Sequence, residues 1–140
     1  YTLDERASDA ASRKLAERHD RGDILSGVDL TAKSDTVARV LLDLARNETS
    51  HRTDGLADAL VSELDKRVEL HKRPRLTAGF SVLKSADIPS VLIELGFLNS
   101  PGDMANISNA EWRANASAGI VAGLQSWAQS DAAERNLRLK

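Results

Sequence analysis

The chain contains no cysteine, which excludes a disulfide frame, a thiol nucleophile and any cysteine-based metal site, and leaves the redox compartment open. Aromatic residues make up only 4% of it. None of them interleaves with the single basic run, His71-Lys72-Arg73-Pro74-Arg75, so that run reads as a solvated helix end rather than a phosphate site. Charge of one sign is also missing. The 19 Lys and Arg against 21 Asp and Glu leave a net charge of −2, with no field to favour nucleic acid or an anionic membrane. No apolar run approaches the roughly 20 residues a bilayer requires, so no transmembrane segment is expected. The N-terminus lacks the basic-then-apolar order of a signal peptide. The 8 glycines are scattered singly and build no phosphate cradle, and no Gly-x-Ser-x-Gly elbow is present. His19, His51 and His71 lie in polar helical or helix-edge contexts and read as surface residues rather than zinc ligands or catalytic bases.

What remains is a chain of 140 residues, 41% hydrophobic and 29% charged, the size and composition of one globular domain. It opens on Tyr1-Thr2-Leu3 without an initiator Met or a cap, which reads as the end of a strand from something longer. Asp4 to His19 carries a weak apolar stripe, and Ile24, Leu25, Val28 and Leu30 follow as an apolar patch after a Gly breaker. A second helix is predicted from Ser34 or Asp35 through Ala45, interrupted at Asn47-Glu48-Thr49-Ser50. A third starts at Thr53 or Asp54 with Leu56, Leu60, Val61, Leu64 and Val68 on one side, and is closed by the basic run and Pro74. Phe80-Ser81-Val82-Leu83 reads as a strand. Pro101-Gly102 reads as a turn, and Ser108-Asn109-Ala110-Glu111 as a capping box. The helix it opens would bury Trp112, Ala116, Ile120, Val121, Leu124 and Trp127. Residues 129–140 are expected to be a flexible tail. Helices alternating with short apolar strands give an α/β fold class.

The stretch Ser90-Val91-Leu92-Ile93-Glu94-Leu95-Gly96-Phe97-Leu98 has the pattern of a buried strand. Glu94 breaks it. A carboxylate among aliphatic neighbours is costly to desolvate unless it is paired, protonated or exposed at the rim of a site. Glu94 is therefore either a structural group on a wet or ion-paired face, or the chemical centre of the chain. One carboxylate does not complete a hydrolase without a metal or a second group from elsewhere.

The blocks Ala78-Gly79-Phe80-Ser81-Val82-Leu83-Lys84 and Ile88-Pro89-Ser90-Val91-Leu92-Ile93-Glu94-Leu95-Gly96-Phe97-Leu98 resemble the closing signature of the zinc-dependent N-acetylmuramoyl-L-alanine amidases of bacterial cell walls. The resemblance implies a three-layer α/β/α sheet, with residues 1–128 forming the C-terminal part of the catalytic domain. It implies that Glu94 is the catalytic glutamate, acting on a zinc-activated water to cut the amide between N-acetylmuramic acid and L-alanine of peptidoglycan. The family's zinc ligands, two histidines and a glutamate, would lie upstream of Tyr1, so no residue here receives that role and the chain alone is expected to be inactive. Where the family usually has Ser-Asn, this chain has Asn99-Ser100.

Residues 22–50 resemble an insertion of the cell-division members, in which a helix covers the active site until an activator protein displaces it. Val37, Val40, Leu41 and Leu44 supply an apolar face for such a role, and Asp23, Asp29, Asp35 or Glu48 could reach a metal. An ordinary packed helix fits the same residues. A periplasmic or cell-envelope location follows from the resemblance alone. The competing expectation is a non-catalytic wall-binding or protein-interaction module of the same fold.

Overall fold

The computed structural model of the chain describes residues 1–4, 35–85 and 87–138. Beyond Asp4, the helix expected through His19 lies outside the described residues, as does the patch from Ile24 to Leu30. Two compact units are distinguished, Tyr1–Asp54 with Leu76–Leu92, and Gly55–Arg75 with Ile93–Lys140.

In the first unit, strand β1 (Thr2–Leu3) pairs in parallel with β2 (Thr77–Ala78), Thr2 opposite Thr77 and Leu3 opposite Ala78. The strand predicted at Phe80–Leu83 is instead a short 3₁₀ turn over Ser81–Leu83, closed by the Leu83 and Lys84 N–H groups on the Phe80 and Ser81 carbonyls. Its burial explains the difference. Phe80 and Leu83 are buried while Val82 is 64% exposed, an i, i+3 pairing that a strand, with its period of two, would not make. Phe80, Ala78 and Leu83 form a core flanked by Tyr1, Leu3 and Leu92. Tyr1 meets Phe80 edge-on, with ring centroids 5.2 Å apart and planes at 74°.

Helix α1 (Asp35–Asp65) is one element of 31 residues, where the sequence predicts two with a break at Asn47–Ser50. No Gly or Pro occurs there, and Asn, Thr and Ser cost a helix only about 0.7 kcal/mol or less each. Thr49 and Thr53 are buried, as are Leu56, Leu60 and Leu64. These positions recur at helical spacing, so the apolar stripe runs on through two threonines that pattern reading counts as polar. The Thr53 hydroxyl accepts the Ser90 N–H at 3.4 Å. The helix ends well before Pro74. The Leu64 carbonyl accepts both the Arg67 and Val68 N–H groups, and the Arg67 guanidinium donates to the Glu63 carbonyl at 2.7 Å, a cation serving the helix end before the basic run is reached.

In the second unit, helix α2 (Pro101–Ser108) occupies what reads as a Pro-Gly turn. Ser100 is its N-cap and Pro101 its first residue, the position where a missing N–H costs nothing. Asn109 then closes α2, its N–H donating to the Ala105 and Asn106 carbonyls. The same residue opens helix α3 (Ala110–Arg138), its Oδ1 accepting the Glu111 and Trp112 N–H groups at 2.8 and 3.1 Å. The cap is therefore Asn109 rather than the predicted Ser108. Helix α3 continues across the segment expected to be a tail.

The face α3 buries is also shifted from the predicted one. Val121 and Leu124 are exposed, while Ala116, Gly119 and Gly123 are buried. A Cβ on Gly119 would meet Leu64 Cδ2 at 2.9 Å, and one on Gly123 would meet Leu60 Cα at 2.8 Å. The small residues thus let α3 approach the second-unit part of α1 closely, and Trp127 lies beside Gly55.

Candidate functional site

The expected strand Ser90–Leu98 is irregular chain that joins no ladder and ends in a turn at Leu98. Leu92 exchanges hydrogen bonds with Tyr1, its N–H donating to the Tyr1 carbonyl at 3.0 Å and its carbonyl accepting from the Tyr1 amino group at 2.7 Å. Beyond Leu92, no strand is assigned up to helix α2. A continuous apolar run becomes a buried strand only when neighbouring strands cover it, and the sheet among the described residues has two. As a result Ile93 is 36% exposed, Leu95 and Phe97 50% each, and Leu98 78%.

Glu94 is exposed within this segment. This exposure fits both sequence readings of Glu94, a structural group on a wet face and a chemical group at the rim of a site. An exposed carboxylate flanked by Ile93 and Leu95 can accept a proton from water or a substrate and return it.

The backbone just past Glu94 is held by a small network. Gly96 takes φ 148°, a region open essentially to glycine. Phe97 donates its N–H to Asp103 Oδ2 at 2.8 Å. The Phe97 carbonyl accepts the Ser100 N–H at 3.0 Å, and Ser100 Oγ accepts the Asp103 N–H at 3.3 Å. Sequence reading passed over Asp103. The signal was present in Ser100-Pro101-Gly102-Asp103, a cap residue followed three positions later by an acid. The order Asn99-Ser100 places the serine at the cap.

Among the described residues, no three His, Cys, Asp or Glu side chains group in a way that could hold a metal ion. His51 is exposed on α1, and His71 is exposed with its Nδ1 accepting the Arg73 N–H at 3.2 Å. Of the carboxylates that could reach a metal, Asp23 and Asp29 lie outside the described residues, as does His19. Asp35 begins α1, and Glu48 is exposed on that helix. The first unit contains a cavity of about 120 Å³ whose lining mixes hydroxyl-bearing residues such as Thr49, Thr53 and Ser90 with Asp54 and the apolar Leu83 and Ile88.

Residues 6–126 match the family model described as N-acetylmuramoyl-L-alanine amidase. The chain is 31% identical over 121 residues to N-acetylmuramoyl-L-alanine amidase AmiA of Escherichia coli K12, covering 86% of this chain and 42% of that protein. It is 27% identical over 129 residues to N-acetylmuramoyl-L-alanine amidase AmiC of Neisseria meningitidis, covering 92% and 31%. A probable cell wall amidase LytH of Staphylococcus epidermidis is 33% identical over 79 residues, 56% of this chain and 27% of that protein. The chain spans less than half the length of each of these curated relatives.

Proposed function

Because the chain belongs to the N-acetylmuramoyl-L-alanine amidase family, matched over residues 6–126, we propose that this protein hydrolyses the amide between the lactyl group of N-acetylmuramic acid and L-alanine in peptidoglycan. The observation that carries this reading is the extent of that match, which includes Glu94. An α/β/α sheet of the amidase type and a cell-envelope location belong to the same proposal. Among the described residues, no helix is long and apolar enough to cross a membrane.

In this reading Glu94 is the general base. Its carboxylate takes a proton from the water that attacks the lactyl carbonyl carbon, forming a tetrahedral adduct. Collapse of the adduct breaks the C–N bond, and the carboxylic acid of Glu94 returns the proton to the departing amine nitrogen of L-alanine. The products are a muramic lactyl carboxylate and a free stem peptide. Exposure suits the role, because the group has to meet both water and a polymeric substrate. Zinc, which the sequence resemblance implies, finds no ligand set among the described residues.

The test is Glu94→Ala in the complete natural protein, read by release of stem peptides from purified peptidoglycan. Loss of a general base is expected to slow release by about a hundredfold or more. Bound metal, measured by elemental analysis, should stay unchanged. Wild-type release by a folded Glu94→Ala protein would refute the assignment.

A further inference from the structure

Nothing in the secondary structure holds the chain between Glu94 and Phe97, because no ladder or helix includes it. A general base must nevertheless be placed to within about 0.5 Å of its productive position. We propose that Asp103 is the positioning residue for Glu94, acting through the backbone of Gly96 and Phe97; the inference rests on the role given to Glu94 above.

Three observations carry it. First, the Asp103 carboxylate accepts the Phe97 N–H at 2.8 Å, fixing the backbone three residues past the catalytic candidate. Second, Asp103 is itself held on a regular element. It lies in the first turn of α2, with its own N–H on Ser100 Oγ at 3.3 Å, where the helix dipole favours an anion. Third, the approach needs a glycine. A Cβ on Gly96 would lie 2.8 Å from Asp103 Cβ and 3.2 Å from its Cγ, at a φ of +148°. Helix α2 thereby reaches back to the loop through one side chain, and a residue with any side chain at position 96 would push it away. A helix-capping acid ordinarily returns to the N-cap N–H. Here the carboxylate serves Phe97 instead, which is the arrangement expected if the held object is the segment carrying Glu94.

The experiment uses the complete natural protein with a soluble muramoyl-peptide substrate and compares Asp103→Ala, Asp103→Asn, Gly96→Ala and Glu94→Gln. Asp103→Ala should lower kcat about tenfold or more with KM changed far less, the split expected of a group that acts on the chemical step and not on binding. Asp103→Asn keeps an oxygen that can accept the Phe97 N–H, and should recover at least half of the lost kcat. A wild-type kcat in folded Asp103→Ala, with Glu94→Gln inactive, overturns the positioning role and leaves Glu94 standing. Equal loss in the Ala and Asn variants also overturns it, because the charge rather than the hydrogen bond would then matter. Activity in Glu94→Gln removes the premise itself. Should Asp103→Ala fail to fold, Gly96→Ala decides. It should lower kcat in the same direction, and a wild-type kcat there overturns the proposal.

Discussion

Two glycines near the candidate site predict opposite outcomes for the same substitution. Gly96 sits at φ 148° with Asp103 Cβ 2.8 Å from where its own Cβ would stand. Gly96→Ala should therefore cost about 1–3 kcal/mol of stability through backbone strain. Gly102, in the first turn of α2, has nothing within 4 Å of such a Cβ. Gly102→Ala should gain about 0.5–1 kcal/mol, because the unfolded chain loses freedom and the helix gains a better former. Urea titration of both variants checks the pair, and equal effects would mean that the loop geometry around Gly96 is not maintained in solution. Glu94 was legible as a candidate in the sequence because a carboxylate inside an aliphatic run conflicts with its surroundings. Asp103 was not, because Asn99-Ser100-Pro101-Gly102 has the composition of a turn and drew attention from the acid behind it. Within those four residues Ser100 makes a cap and Pro101 a first helical position, and only the backbone path distinguishes those uses from a turn.

At the scale of the elements, the glycines of α3 carry an argument about packing. A Cβ on Gly123 would meet backbone atoms of α1, Leu60 Cα at 2.8 Å and Leu60 N at 3.1 Å, which no rotamer change relieves. Intrinsic propensity favours Gly123→Ala by about 1 kcal/mol, but forcing the helices apart costs about 1–3 kcal/mol. The net expectation is a lowered melting temperature. The same helix shows what periodicity can and cannot supply. Its existence was legible from apolar spacing, while its buried face was not, because hydrophobicity ranks Val121 and Leu124 above Gly119 and Gly123, and close packing prefers the smaller pair. Helix α1 shows the complementary error, since buried Thr49 falls in the predicted interruption and buried Thr53 at the predicted start of a new helix. At the C-terminal end of α1, hydrogen bonds from Lys66 and then Arg67 hold the Glu63 carboxyl below its ordinary value of 4.5. A depressed carboxylate contributes stability that is present above its unfolded pKa and is lost as pH falls through its folded one. The melting temperature of the wild type should therefore exceed that of Glu63→Gln at pH 7, by a small margin because the group is exposed. The gap should close on acidification below the carboxylate range.

For the molecule as a whole, the mixture of helix and strand and the strand at Thr2–Leu3 followed from the sequence, whereas the extent of the sheet did not. A run such as Val91–Phe97 states that it is apolar and leaves open which neighbours cover it. Regulation by residues 22–50 is a proposal at this scale, drawn only from the expectation that they form an occluding insertion. Helix α1 begins at Asp35, and the described side chains it buries begin at Thr49. Deleting Gly22 to Ser34 would therefore leave that helix and its packing positions in the chain. If residues 22–34 take part in covering the site, the resting protein has a catalytically open state populated at about 0.1–10%. Removing the cover raises turnover by the reciprocal of that fraction, about tenfold at the least. The complete natural protein carrying this deletion should release stem peptides from peptidoglycan about tenfold faster than wild type when no activator is added. Addition of an activator should then produce little further increase, since the state it would select is already dominant. Unchanged basal release by a folded deletion protein would show that residues 22–34 do not restrain the site, and it would do so without bearing on Glu94, whose own substitution is read in the same assay.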